Sequence, residues 1–276
     1  MVVVRQTIFR DKKILCTLLL TNNFLQVHGK VVILQTILIK YLYKMENNYY
    51  SIPSQSATMV GSLMKSVYMW MTLALGITGV VALYVAQSSD LLYTIFSNSI
   101  LFWGLVIAEF ALVMVISARL LKMSFSTALL LFMLYSVING LTLSVIFALY
   151  TKASVASTFF VTAGTFGVMS LIGYFTKKDL SKLGGILFML LIGLVIATLV
   201  NIFWANDTLY WITTYAGVLI FVGLTVYDTN KIKRMLECSY GEDEMTQKLA
   251  LMGALTLYLD FINLFLYLLR ILGDRK

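Results

Sequence analysis

The chain has few of the residues that metal centres and disulfide frameworks require. Its 276 residues include two cysteines, Cys16 and Cys238, and one histidine, His28. None of the three has a neighbour at the spacing of a zinc or haem ligand pair. The sequence therefore predicts no such metal site, no bound cofactor and no disulfide framework, and the single cysteines are consistent with a reducing compartment.

Proline and charge are scarce as well. Pro53 is the only proline, charged residues make up 12% of the chain, 60% is hydrophobic, and the mean hydropathy is +0.88. This composition lies outside the range of soluble globular domains and is typical of an integral membrane protein. Because Pro53 precedes the first long apolar segment, the membrane helices are expected to have no proline kinks.

Seven segments are apolar and long enough to cross a bilayer as helices, each of which needs about 20 residues. They are roughly residues 66–87, 98–121, 125–150, 153–176, 183–204, 208–229 and 249–271. The connections are short, so no soluble domain is inserted. The predicted fold class is an all-α membrane protein whose seven transmembrane helices occupy residues 66–276, in contact with the lipid bilayer.

The first 65 residues divide into two parts. Residues 1–44 have short apolar runs interrupted by charge and lack the cleavage site of a signal peptide. We expect them to be an upstream or non-native extension, with Met45 as the native start. The alternative is an additional peripheral or membrane-associated helix. Residues 45–65 are predicted to form a polar N-terminal tail.

The distribution of lysine and arginine predicts the orientation. The second, fourth and sixth connections carry eight of these residues, whereas the other connections and the C-terminal tail carry three. The richer set is expected in the cytoplasm, together with the N-terminus, and the acidic cluster 242–244 is expected to be a solvated turn. Most of the formal charge of +8 comes from residues 1–44, so the membrane body offers no basic face for nucleic acid.

Two aspartates lie inside apolar segments, Asp228 near the end of the sixth helix and Asp260 in the seventh. An ionisable side chain at mid-membrane costs roughly 2.5–3.5 kcal/mol on insertion scales, so by default it marks an ion path, a proton site or a buried pairing. Asp228 has the alternative of being a surface carboxylate, because it is predicted about one turn from the cytoplasmic surface.

The seventh helix carries a polar stripe, since residues three or four apart share one helix face. The stripe consists of Gly253, Thr256, Asp260, Asn263, Tyr267 and Arg270. Such a face cannot turn toward lipid, which predicts an interior position for this helix with the other six around it. For Gly253 and Thr256 the alternative is a role in helix packing alone.

The second helix contributes two more charged residues, Glu109 and Arg119. They are ten residues apart, which places Glu109 roughly 15 Å deeper in the membrane. Arg119 enters the same layer as Asp228, either as a snorkelling interfacial arginine or as a partner in a buried ion pair. Asn139 and Asn201 are more typical of interhelical hydrogen bonds.

Five ordered motifs resemble those of the Bax inhibitor-1 family of seven-helix membrane proteins, from about residue 60 to the C-terminus. They are SARLLKMS (117–124), INGLTLS (138–144), GYFTKKDLSKLGG (173–185), VGLTVYDTNKIKR (222–234) and LDFINLFLYLLRILG (259–273). The resemblance implies a central seventh helix wrapped by three helical hairpins. In bacterial members it also implies an inner-membrane protein with a pH-sensitive calcium leak gated by two aspartates.

The residues of that gate have counterparts in this chain. The YD that ends at Asp228 and the LDF around Asp260 match the aspartate pair. Arg119 matches the arginine whose contact with the first aspartate holds the closed state. These roles are expectations that come from the resemblance.

The chemistry of calcium fits such a leak. Calcium prefers about 6–8 oxygen ligands, and this chain offers two carboxylates, Asp228 and Asp260, helped by Thr256, Asn263 and water. We expect weak binding, which suits conduction better than storage. If the carboxylates approach each other, sharing one proton is cheaper than keeping both charges in a low dielectric, so protons and calcium should compete.

Two other classes of function compete with the leak. Intramembrane aspartyl proteases also use paired aspartates, but no GxGD motif surrounds Asp260 and no Pro-Ala-Leu segment exists, so no enzyme is predicted. A non-conducting regulator of a membrane-anchored ATP-dependent protease is implied by some bacterial relatives in the family. Transport by the purified protein in liposomes would separate a regulator from a leak.

Overall fold

The computed structural model describes residues 57–120, 122–239 and 243–276, which form eight helices. They are α1 (Ala57–Gln87), α2 (Ser89–Ser97), α3 (Ser99–Arg119), α4 (Phe125–Leu149), α5 (Lys152–Phe175), α6 (Ser181–Trp204), α7 (Asp207–Glu237) and α8 (Glu244–Leu272). All except the short α2 are long and apolar enough to cross a membrane. The predicted all-α, seven-helix class is confirmed, and the interpretation of residues 1–44 falls outside the described ranges.

Helix α8, the seventh membrane-spanning helix, lies at the centre of the bundle. In its apolar window 89% of the residues are buried, against 22–56% in the other six. It packs against α1, α4, α5 and α7, while α3 packs outside on α4 and α6 packs outside on α7. The interior position predicted from the polar stripe is confirmed. Among the surrounding helices, the closest pairs are α1 with α4 and α5 with α7, which are not consecutive.

Two helices are longer than their apolar windows. α1 begins at Ala57, within the segment 45–65 that the sequence suggests is a polar tail. α7 continues to Glu237 beyond the window that ends at residue 229, so Lys231, Lys233 and Arg234 lie on a helix rather than in a loop. Lysine, arginine, methionine, leucine and glutamate all favour helix, so α7 continues after its apolar pattern has ended.

The short helix α2 lies in the first connection and was not predicted. Leu92 and Ile95 on one of its faces are buried and pack with Val85. Asn98 ends α2 and caps α3, because its side chain accepts hydrogen bonds from the first backbone N–H groups of that helix. A helix of nine residues with only one apolar face is too short to cross a membrane. A search for long apolar segments therefore does not detect it.

Asp243 and Glu244, the described part of the acidic cluster, are both exposed, and each also makes a structural contact. Asp243 caps α8 by accepting the Thr246 N–H at 2.8 Å, and this hydrogen bond lowers the pKa of the Asp243 carboxyl below its ordinary value. Glu244 accepts the Phe125 N–H at 2.9 Å and thereby ties the start of α8 to the start of α4.

The C-terminal tail ties the other end of α8 to the α4–α5 connection. The Asp274 carbonyl accepts the Thr151 N–H at 3.1 Å, and the Asp274 N–H donates to the Ser154 hydroxyl at 3.1 Å. The Lys276 N–H donates to the Leu149 carbonyl at 3.0 Å. Hydrogen bonds therefore tie both ends of the central helix to the α4–α5 unit, through the Glu244 side chain at its start and through the backbone of the tail after its end.

The alternation of the helices allows a direct test of the predicted orientation. In a background with Cys16 and Cys238 replaced by serine, we expect Lys178→Cys, in the exposed α5–α6 connection, to react with an impermeant thiol reagent only from the cytoplasmic side. Lys152→Cys, at the opposite end of α5, is the matched control and should react only from outside. The reverse pattern would overturn the orientation derived from the lysine and arginine distribution.

Candidate functional site

Helices α7 and α8 run antiparallel, and two glycines define their register. A Cβ added to Gly253 of α8 would lie 2.9 Å from the Ile232 side chain of α7. A Cβ added to Gly217 of α7 would overlap the ring of Tyr267 of α8. Between these two contacts lie 15 residues of α7, from Ile232 back to Gly217, and 14 residues of α8, from Gly253 to Tyr267. The two helices therefore run side by side over this length. The polar stripe of α8 therefore faces α7 along this length.

This register brings Asp228 and Asp260, the aspartate pair, to nearly the same depth. Measured from the contact between Ile232 and Gly253, Asp228 lies four residues along α7 and Asp260 lies seven residues along α8. Their depths therefore differ by three residues, roughly 4.5 Å along the helix axis. Both side chains are buried, at 2% and 0% exposed. Asp228 is thus not a surface carboxylate. It lies nine residues before Glu237, well inside α7.

The α7 segment that carries Asp228 is held by two glycines of the GYFTKKDLSKLGG motif. Gly173 of α5 lies directly against the α7 backbone, where an added Cβ would overlap a carbonyl oxygen. Gly184 of α6 lies against the ring of Tyr227. Asn230 donates a hydrogen bond to the Gly173 carbonyl at 3.0 Å. Contacts from α5 and α6 therefore set the position of the YD motif.

The polar neighbours of Asp260 on α8 bond to their own helix. The Asn263 side chain donates to the Leu259 carbonyl at 2.9 Å, and the Thr256 hydroxyl donates to the Met252 carbonyl at 3.0 Å. Hydroxyl and amide oxygens of this kind can also ligate a cation. Within the described ranges, no group of three or more His, Cys, Asp or Glu side chains could hold a metal ion. A cation at this site would therefore meet two carboxylates at most.

The two arginines associated with the site have different environments. Arg119 is the last residue of α3 and is exposed, so its contact with Asp228 stays a prediction. Arg270 is buried near the other end of α8, with its guanidinium 5.8 Å from the Tyr210 ring and 5.0 Å from the Tyr267 ring. Both distances are in the range of a cation–π contact, which stabilises a buried arginine.

Glu109 belongs to a second buried polar cluster, on α3 and α4. Its side chain is 0% exposed, and the Thr142 hydroxyl donates to its carboxylate at 2.6 Å. On the same face of α4, the Asn139 amide donates to the Tyr135 hydroxyl at 3.3 Å. Glu109 thus faces the protein interior, as expected for an intramembrane carboxylate.

The cluster continues to α8 and α1. The Tyr135 ring meets the Tyr258 ring edge to face, with centroids 5.8 Å apart. The Tyr258 and Thr78 hydroxyl oxygens are 2.8 Å apart, and Thr78 donates to the Ser136 carbonyl at 2.9 Å. Because a hydroxyl has one hydrogen, Tyr258 is the donor to Thr78. The sequence reasoning missed this cluster apart from Glu109 and Asn139, although Asn139 and Thr142 share a helix face.

Six apolar helices around a buried seventh that carries an intramembrane carboxylate define a multi-pass integral membrane protein. The family described as "Inhibitor of apoptosis-promoting Bax1" matches residues 60–276. The chain therefore belongs to the Bax inhibitor-1 family, and the resemblance carried by the five motifs is confirmed.

Several bacterial proteins are similar to this chain over most of its length. The inner membrane protein YbhL of Escherichia coli strain K12 is 54% identical over 214 residues, which cover 77% of this chain and 92% of YbhL. An uncharacterized protein of Borreliella burgdorferi is 43% identical over 222 residues, 80% of this chain and 96% of that protein. Protein RP147 of Rickettsia prowazekii, also uncharacterized, is 42% identical over 215 residues, which cover 77% of this chain and 89% of RP147.

Proposed function

We propose that the protein is a pH-sensitive cation leak of the bacterial inner membrane, with calcium as the permeant ion and the aspartate pair as its binding site. The observation that supports this most is that two buried carboxylates lie on facing helices within about one helical turn of depth. Burying carboxylates in a membrane is unfavourable, and such residues commonly line ion or proton paths.

The composition of the site favours passage over storage. Two carboxylates are fewer than a tight calcium site supplies, so even with Thr256 and Asn263 we expect water to take part in the coordination. A weakly held ion can leave as readily as it enters. A proton shared by the pair would occupy the same oxygens, so flux should fall as protons accumulate.

Calcium flux into proteoliposomes tests this proposal directly. The parent protein should admit calcium faster than protein-free liposomes, and Asp260→Asn should reduce the initial rate about tenfold or more, because one of two anionic ligands is lost. Asp207→Asn, the same change at an exposed position of α7, is the matched control. A folded parent that carries no calcium would overturn the leak and favour the non-conducting regulator of a membrane-anchored ATP-dependent protease.

Arg119→Ala tests the proposed lock. Removing the cation leaves the aspartate pair able to meet a metal ion, so we expect basal calcium flux at neutral pH to rise several-fold rather than to disappear. Lys122→Ala removes an equal charge three residues further along the chain and should leave the flux unchanged. If the folded Arg119 variant conducts less than the parent, Arg119 supports the open path instead of closing it.

A further inference from the structure

A long groove opens to the bilayer between α1 and α5, with α8 at its floor. Its volume is about 1070 Å³. The α1 wall includes Lys65, Gly76 and Gly79, the α5 wall includes Gly167, and Phe261 of α8 forms part of the floor. Exposed apolar side chains continue beyond both walls, as expected for a surface that faces lipid.

The glycines of this groove differ from those at the helix contacts. An added Cβ at Gly140, Gly173, Gly217 or Gly253 would press into a neighbouring helix. At Gly76, Gly79 and Gly167 it would meet nothing within 4 Å. Small residues in membrane helices usually allow close packing of a partner. Here they widen an open groove that no described helix fills.

The groove has one charged end and an apolar length that runs on past Gly79 to Leu83, as a site for a lipid headgroup and its acyl chain requires. Among its described lining residues Lys65 carries the only charge, and it lies near the start of α1 with Tyr68 and Tyr174 close by. Lys233 lies over the Tyr174 ring at 5.2 Å and adds a second cation at this end. From Lys65 to Gly76 is eleven residues, roughly 16 Å, or about half of a 30 Å hydrocarbon core.

We propose that the α1–α5 groove is a binding site for an anionic glycerophospholipid from the lysine-rich leaflet. The headgroup phosphate pairs with Lys65 at the interface, where tyrosines are favoured, and an acyl chain lies along the three glycines. The chain packs on Phe261, which is 4% exposed and adjacent to Asp260 in the sequence. Lipid occupancy therefore reaches the helix that carries the central carboxylate.

Native mass spectrometry of the full chain, released from an equimolar mixture of phosphatidylglycerol and phosphatidylcholine, tests this site. The parent should retain one phosphatidylglycerol in preference to phosphatidylcholine. Lys65→Gln should lower that preference about fivefold, since one lysine near an anionic surface contributes about that factor. Gly76→Leu should lower the retention of both lipids, because the new side chain occupies the groove.

Matched controls separate the groove from general lipid contact. Lys182→Gln removes an exposed lysine at the start of α6, and Gly193→Leu fills open space on the lipid side of α6. Both should behave as the parent. Equal retention of the two lipids by the parent, or equal behaviour of the Lys65 and Lys182 variants, would overturn the proposal.

Other occupants would also overturn it. Thr72→Cys places a thiol in the groove, and its cross-linking to residues 1–56 or to a second copy of the chain would assign the groove to protein instead of lipid. Thermal melting by circular dichroism should match the parent for each variant used. If Gly76→Leu does not fold, Gly79→Leu and the Lys65 comparison still decide the outcome.

Discussion

Asp228→Asn and Asp260→Asn will each flatten the pH dependence of calcium flux or move it to lower pH. With one carboxylate left, no proton can be shared between the two helices, so protons and calcium no longer compete for a common site. Asp260→Asn should also reduce the flux more than Asp228→Asn, because Asp260 lies on the central helix, where water is scarce. The measurement is proteoliposome flux from about pH 6 to pH 8.

Two independent carboxylates would give a different result. Each replacement would then change stability while the pH profile kept its shape, and unchanged profiles in both folded variants would remove the shared-proton mechanism. Asp207→Asn again serves as the control, since it lies on α7 but at its exposed start.

Gly173→Ala will destabilise the bundle by about 2 kcal/mol or more, within the range seen for overpacked interiors. The new methyl group would overlap the α7 backbone, which cannot move aside as a flexible side chain can. α5 and α7 must separate, and the hydrogen bond from Asn230 to the Gly173 carbonyl is weakened at the same time. Thermal or denaturant unfolding in detergent measures the loss.

Gly164→Ala provides the opposite expectation on the same helix. An added Cβ there meets nothing within 4 Å, so the change should be neutral or stabilise the helix by up to about 1 kcal/mol through helix propensity. Equal effects of the two substitutions would show that the α5–α7 contact is looser than the structure has it.

The sequence predicts the parts of this protein that are costly to place in a membrane. A carboxylate such as Asp260 is so unfavourable in lipid that its helix must face inward, and the central position of α8 follows from the stripe alone. The same argument predicts the inward position of Glu109. The five motifs predict the family, and several of them hold residues with a structural reason to occur there. Gly173 and Gly184, for example, both contact the segment around Asp228.

The remainder depends on pairings between helices, which a periodic pattern does not contain. The depth match of Asp228 and Asp260 requires the α7–α8 register, and that register depends on contacts at Gly217 and Gly253. The cluster around Glu109 uses tyrosine and threonine hydroxyls, which are frequent in membrane helices and carry little information individually. The end of α7 was misplaced because hydropathy reports lipid contact and not helix formation.

The hydrogen bonds at the two ends of α8 limit the motions by which this protein can change state. Glu244 joins the first turn of α8 to Phe125, and Asp274 joins the chain after its last turn to Thr151. α8 cannot slide along its axis without breaking both attachments. Its position relative to α4 and α5 is therefore fixed. Among the described membrane-spanning helices, α3 and α6 pack on the fewest neighbours: α3 packs mainly on α4, and α6 packs mainly on α7. If the protein opens an ion path, the distances from α3 or α6 to α8 should therefore change, while the α4–α8 distance stays constant.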